Sequence, residues 1–302
     1  MKSHDPEVWY DCGCMNVSQL LTYINTRHAT AFELASKLPG GYQDGAYVLA
    51  EPGGRRGVLK QLFAPRALPI MRRLHAIGYP TPGVLLDGTA DDGTSYLVQE
   101  FVPGAPMATL TEAYLDQLLT LNYLQANLNP RPEANALESW SGYVYEAVFA
   151  RTSVWVTALC NHSRATASLL TELRLATSRY AATVLPNTDV VHGDLHTGNI
   201  LVEQGQITGV IDMVYAGYGT RVIDLATMLH TMDSGDYAPA VRQRLRAHVI
   251  ECFGSDVYAI CMAYRVIVTV EWAIRQGRPD WIDFFVRAGW AVCDDLAGIE
   301  QA

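Results

Sequence analysis

Apolar positions along this chain follow two periods. Residues 1–15 show neither and read as an irregular arm. Asn16 then opens a helical repeat of Val17, Leu20, Leu21 and Ile24. From about residue 30 to 101 the texture changes to short strands and tight turns. AFELASKL alternates, EPGGRRG reads as a hairpin turn between YVLA and GVLKQLF, and TADDG turns between PGVLLDG and TSYLVQEFV. A helical pattern of Leu68, Met71, Leu74 and Ile77, closed by Gly78, lies among them. The sum is about five strands and one helix, a small α+β lobe.

VPGAP, residues 102–106, reads as a linker. From 111 onward helical spacing dominates, first as Leu115, Leu118, Leu121, Leu124 and Leu128. NILVEQGQITGVID interrupts it as a strand pair turning at residues 203–206. About four helical stretches follow Ile223, and DVYAICMAYRVIVTVEWAIR is apolar nearly all round, as a buried helix would be. The expected architecture is α+β: a β-rich N-terminal lobe over 1–102, with its helical arm, and a mainly helical lobe over 103–302.

Composition narrows the function classes. The 302 residues are 49% hydrophobic and 18% charged, which excludes a disordered, collagen-like or coiled-coil chain. With 22 basic against 31 acidic residues the net charge is −9, opposite to a generic nucleic-acid binder. No run reaches the 18–20 apolar residues of a membrane span, and residues 1–13 hold no signal-like apolar core, so a cytoplasmic protein is expected. Of six cysteines only Cys12 and Cys14 are close, and without further ligands at zinc spacing all read as free thiols. Oligomeric state leaves no trace. Lysine is scarce, 3 against 19 arginines, and Lys60 is the only one beyond residue 37.

Chemistry concentrates in VVHGDLHTGNILVEQGQITGVIDMVYAGYGTRVIDLA, residues 190–226. Asp194 and Asn199 lie five apart on a loop leading into a strand. The hairpin returns the chain so that Asp212, at the end of the strand 207–211, can approach Asn199. A carboxylate and a carboxamide oxygen suit Mg²⁺, which keeps its other positions for water and phosphate. Asp194, beside that pair, has the place of a base receiving a hydroxyl proton. In the N-terminal lobe, Gly40, Gly41 and Gly45 lie between two strands, where backbone amides can approach phosphate. Lys60, ending the strand G-V-L-K, could reach a nucleotide's α/β-phosphates.

The order H-G-D, four residues, N, hairpin, I-D, then D-L-A resembles the aminoglycoside phosphotransferase and choline kinase family of small-molecule kinases. Gly193 stands where protein kinases carry the arginine of H-R-D. The resemblance implies a protein-kinase-like two-lobed fold. It implies Asp194 as catalytic base, Asn199 and Asp212 as Mg²⁺ ligands, and ATP or GTP as phosphate donor. SYLVQEFVPG becomes the hinge, with Gln99 as gatekeeper and the backbone of Glu100 and Val102 holding the base. His192 becomes a structural residue beneath the loop, and Asp224 a buried carboxylate satisfying loop amides. His196 lies near solvent or phosphate.

Two departures stand out. The family usually carries a glutamate on the lobe's helix to pair with the strand lysine, yet residues 61–78 contain no acid. A carboxylate from elsewhere, or phosphate alone, must position Lys60. Thr220 stands where relatives often carry aspartate.

From Asp194 to the C-terminus there are 14 acids and 8 arginines. Asp233, Asp236, Glu271 and Trp272 are the expected contacts for a cationic or sugar-like acceptor. The expected function is phosphoryl transfer to a small-molecule hydroxyl, with a cationic antibiotic as first acceptor. The alternatives are a metabolite acceptor (choline, homoserine or a sugar) and a nucleotide-binding module without catalysis, which the missing helix acid suggests. A protein kinase is disfavoured, because only eleven residues separate Asp212 from Asp224 and no A-P-E segment stands between them.

Overall fold

The computed structural model describes residues 15–38, 45–61, 65–133, 139–232 and 238–299. The arm with Cys12 and Cys14, and the candidates Gly40, Gly41, Asp233 and Asp236, lie outside the described residues. The chain forms two compact units. The first is Met1–Gly104 with Thr208–Val214, and the second is Ala105–Ile207 with Tyr215–Ala302.

The first unit opens with α1 (Val17–His28). Asn16 caps it by accepting from the Ser18 and Gln19 amides, while Gln19 reaches back to the Asn16 amide. Strands β1 (Glu33–Lys37), β2 (Ala46–Ala50) and β3 (Arg56–Gln61) follow, then α2 (Leu68–Ala76), β4 (Val84–Thr89) and β5 (Ser95–Glu100). They form one antiparallel sheet in the order β1-β2-β3-β5-β4. Leu20, Leu21 and Ile24 of α1 share a core with Phe32, Leu49, Leu59, Tyr96 and Val98. Each such fully buried side chain contributes on the order of 1.5–3 kcal/mol. This core fixes β3, the central strand, and so places Lys60, paired with Leu97 of β5.

The second unit begins with β6 (Ala105–Pro106), a two-residue strand where a bare linker was expected. Then come α3 (Glu112–Leu124), α4 (Trp140–Phe149), α5 (Val154–His162) and α6 (Arg164–Thr177). Leu115 and Leu118 are buried as the spacing predicts, but Asn122 is buried beside them, Leu121 and Leu124 are half-buried, and Leu128 lies beyond the helix. The pattern over 143–160 splits at Ser153, whose hydroxyl caps α5.

Next are β7 (Asp189–Val191), β8 (Ile200–Glu203), β9 (Gln206–Val210) and β10 (Gly217–Gly219). The expected β8–β9 hairpin turns through Gln204 (φ +49°) and Gly205 (φ +79°), the backbone of a tight primed turn. The unit boundary falls inside β9. β9 ends at Val210, so Asp212 lies beyond the strand instead of closing it, with φ +66°. The β7–β10 pair was not foreseen; each strand is three residues long, too short for a periodic signal.

Four helices complete the unit: α7 (Val222–Met232), α8 (Pro239–Phe253), α9 (Ser255–Arg275) and α10 (Pro279–Ile299). α9 corrects the expectation that no stretch reaches membrane-spanning length. By length and composition it does, but 72% of that stretch is buried inside the protein, as a core helix.

Candidate active site

The loop that leaves β7 is held from below by one carboxylate. Asp224, in the first turn of α7, accepts from the His192 amide at 2.8 Å and the Gly193 amide at 2.9 Å. Gln125 Nε2 donates to the same carboxylate at 2.7 Å and to the Val190 carbonyl at 3.3 Å. Asn122 donates to Gln125 Oε1 and to the Arg221 carbonyl, both at 3.1 Å. Asp224 is fully buried. Burial pushes its carboxyl up, against His192, the two amides and Gln125, which favour the charged form. Its place at a helix N-terminus adds a favourable dipole.

That anchor shapes the residues above it. His192 is buried, and its Nδ1 accepts from the Asp194 amide at 3.2 Å. Asn199 Nδ2 donates to the Asp194 carbonyl at 2.9 Å, closing the loop across five residues. His196 Nδ1 accepts from the Gly198 amide at 3.0 Å, and its Nε2 lies 3.8 Å from Asp194 Oδ2. The Asp194 side chain stays 39% exposed. The backbone around Asp194 is therefore fixed while its carboxylate remains open to a reactant.

In the first unit, Lys60 Nζ lies 2.9 Å from Asp212 Oδ1, with Lys60 largely buried and Asp212 43% exposed. The segment bearing Asp212 is tied down by the Val210 amide to the Pro80 carbonyl and by Thr208 Oγ1 to the Pro103 carbonyl, both at 2.9 Å. α2 carries Arg72 and Arg73 and no acid, and Arg72 pairs with Asp87 of β4. The carboxylate facing Lys60 is therefore Asp212.

The hinge candidates sit at the end of β5. Gln99 is buried opposite Val58 and Val84. Glu100 folds its carboxylate back to accept from the Gly83 amide at 3.1 Å, and Val102 is half-buried. Gly45 precedes β2 at φ +87°, with the Lys37 side chain across it. Thr220 is buried, and its hydroxyl accepts from the Val222 amide at the start of α7.

Glu271 and Trp272 lie at the far end of α9. Glu271 pairs with Arg275 at 3.4 Å, and burial pushes its carboxyl up. Trp272 stacks on Trp281 at 4.9 Å and 13°. Both indoles line a cavity of about 430 Å³ with Asp280, Phe284, Phe285 and Arg287.

Sequence reasoning missed Asn122, Gln125 and Trp140. The first two interrupt a leucine stripe as polar residues at helical spacing, which is a readable signal. Trp140 has a fainter one, the glycines it lies against, Gly193, Gly217 and Gly219.

Among the described residues, no three His, Cys, Asp or Glu side chains gather as a metal-binding group. Mg²⁺ asks for less, one or two protein oxygens besides substrate phosphates. Asn199 has its Nδ2 committed to the Asp194 carbonyl, which leaves Oδ1 as its remaining ligand atom. Asp212 offers a partly exposed carboxylate. Each of these donors, Asn199 in the second unit and Asp212 in the first, is of a chemistry that suits Mg²⁺.

The model of the phosphotransferase enzyme family matches residues 36–259. An aminoglycoside 3'-phosphotransferase from Escherichia coli is 34% identical over 62 residues, 20% of this chain and 22% of that protein. The chain thus matches about a fifth of that relative's length. A thermostable variant of aminoglycoside phosphotransferase APH(4)-Ia, solved with AMP-PNP and hygromycin B, superposes with a TM-score of 0.70 at 15% identity, over 92% of this chain and 98% of that one. Wild-type aminoglycoside 2'-phosphotransferase-IIIa, solved with GDP, gives 0.63 at 16% identity, over 93% and 99%. These likenesses show the protein-kinase-like α+β fold with its β-rich and helical lobes. The family match extends through both units and both halves of the loop-and-hairpin segment, and it makes this chain an enzyme, a member of the phosphotransferase enzyme family.

Proposed function

We propose that this enzyme moves the γ-phosphoryl group of ATP or GTP to a hydroxyl of a small molecule, with a cationic aminoglycoside-type antibiotic as the leading acceptor. The observation that carries this reading is Asp194, whose backbone is locked by His192 and Asn199 while its carboxylate stays open. In the proposed reaction Asp194 orients the acceptor hydroxyl and takes its proton as the oxygen bonds to phosphorus. The nucleoside diphosphate leaves with the electrons of the broken P–O bond.

Lys60 would bind the α/β-phosphates, Gly40, Gly41 and Gly45 would line them with amides, and Gln99, Glu100 and Val102 would border the base. Asn199 and Asp212 would hold Mg²⁺, which supplies charge neutralisation on the phosphates when bound. Lys60 and Asp212 would then exchange their mutual contact for phosphate and cation. Most of the rate would come from this positioning and neutralisation. The nucleotide and hygromycin B complexes of the neighbours support the donor and acceptor classes. The carboxylate facing Lys60 speaks against a non-catalytic module. Cys160, Cys252, Cys261 and Cys293 are free thiols, which fits a reducing cytoplasm.

The aromatic cavity at Trp272 favours a second acceptor class. Asp280 pairs with Arg278 and Glu271 with Arg275, so little net negative charge remains there, and aromatic faces suit an amino alcohol or sugar. A panel with ATP and GTP, read by diphosphate release, tests both: hygromycin B and kanamycin against choline, homoserine and simple sugars. Release with the antibiotics is the expected result. Release only with a metabolite selects the second class, and none with any acceptor overturns the transferase reading.

A further inference from the structure

We infer that Trp140 is a positioning residue for the catalytic loop, pressing Gly193 against Asp224 and so fixing the backbone that carries Asp194. This rests on the reading of Asp194 as the base.

Trp140 lies along three glycines, its indole against Gly193 and Gly217 and its Cβ against Gly219. A Cβ on Gly193 would collide with Cζ2 of its benzo ring, with Cε2 and Cη2 only 3.0 Å away. A Cβ on Gly217 would lie 2.9 Å from Cδ1 and Nε1, and one on Gly219 would lie 2.7 Å from the Trp140 Cβ. Atoms do not approach so closely, so the indole leaves no room for a side chain at Gly193 or Gly217, and the Trp140 Cβ with the Ser141 amide leaves none at Gly219. Gly217 pairs with Val191 and Gly219 with Asp189 of β7, the strand that launches the loop. One side chain therefore backs both the β7–β10 ribbon and the first turn of the loop.

The ring is itself fixed. Its Nε1–H donates to the Tyr215 carbonyl at 3.1 Å. Tyr143 and the buried Tyr264 of α9 meet it edge-on, with centroids 6.1 and 6.5 Å away. The next residue, Ser141, donates to the Pro186 carbonyl at 2.6 Å and accepts from the Thr220 amide at 3.1 Å. Gly193 is thus bounded on two sides. Its amide is held by Asp224 Oδ1 at 2.9 Å, its α-carbon rests on the indole, and its φ of +88° suits glycine alone. The glycine that replaces arginine in the loop motif makes room for this tryptophan.

The test uses the full chain, with ATP turnover in the presence of Mg²⁺ read as ADP release to water. Trp140→Ala is expected to lower kcat about 100-fold, the scale of an ångström-sized misplacement, with the KM for ATP within about twofold of wild type. Trp140→Phe keeps an aromatic ring but loses the Nε1 bond and is expected to cost about tenfold. Gly217→Ala, whose new methyl group meets only the indole at close range, is expected to lower kcat alone and to add nothing in the Trp140→Ala background. Normal kcat in both Trp140 variants, or additive losses in the double variant, overturns the proposal. If Trp140→Ala does not fold, Trp140→Phe and Gly217→Ala decide by the same kcat-against-KM comparison. Asp194→Ala runs beside them. Loss there with normal kcat in the Trp140 variants sinks this proposal alone, whereas normal kcat in Asp194→Ala as well sinks the reading of the site and this proposal with it.

Discussion

The loop around Asp194 and the Lys60–Asp212 pair are built to opposite rules. The loop is pinned by a fully buried carboxylate that accepts from two amides and from Gln125. The pair meets in an ion contact at 2.9 Å, with Asp212 43% exposed. As the proposed base, Asp194 would have to be aimed before its substrate arrives, and its backbone is fixed from beneath by a buried network. In their proposed roles, Lys60 and Asp212 would have to trade this contact for phosphate and cation, and the Asp212 side of it is open to solvent. Stability and chemistry should therefore separate when each region is broken.

The largest stability effect belongs to Asp224→Ala. It strands the His192 and Gly193 amides and Gln125 without their acceptor, and should cost about 3–5 kcal/mol in urea unfolding. Gln125→Leu removes one donor from Asp224 and leaves the Val190 carbonyl without it, for about 1–3 kcal/mol.

His230, further along α7, extends the contrast into pH. It is buried, with neither ring nitrogen hydrogen-bonded, and burial, with Arg265 and Arg242 nearby, lowers its pKa from 6.5 to about 3. Below pH 6.5 the unfolded chain takes a proton that the folded one refuses, so stability falls as pH drops from 6.5 toward 3. The slope is about 1.4 kcal/mol per pH unit for this one group. His230→Gln should lack that slope, so the slope should appear in the difference between wild-type and variant stability as pH falls. Parallel curves over this range would refute it.

The smallest stability effect is expected at the ion pair. Lys60→Met should change unfolding by less than about 1 kcal/mol, because the contact is partly exposed. The same variant should weaken ATP affinity at least tenfold by fluorescence titration, since a charge-assisted phosphate contact is worth more than this partly exposed pair. A large stability loss at Lys60 would erase the distinction between the two regions.

What could be read from the amino acids follows the range of each contact. The α1 cap is local, as is the 192–212 motif, so Asn16, Asp194, Asn199 and Asp212 stood out at once. The partners that set their geometry lie far off in the chain. Gln125 is 99 residues from Asp224, and Lys60 is 152 from Asp212. Such pairs leave no periodic trace, so the missing helix acid could be noticed but not what faces Lys60 in its place. Trp140 left only a faint mark for the same reason, in the bare positions it lies against. The β7–β10 ribbon escaped because three-residue strands fall below any repeat.

The most direct measurement is a comparison of kcat with nucleotide Kd for Asp194→Ala, using whichever acceptor the panel identifies. A fixed base predicts a fall in kcat of about a hundredfold or more, with Kd within about twofold. A kcat within tenfold of wild type would mean that the proton leaves by another route, and the role given to this loop would be wrong.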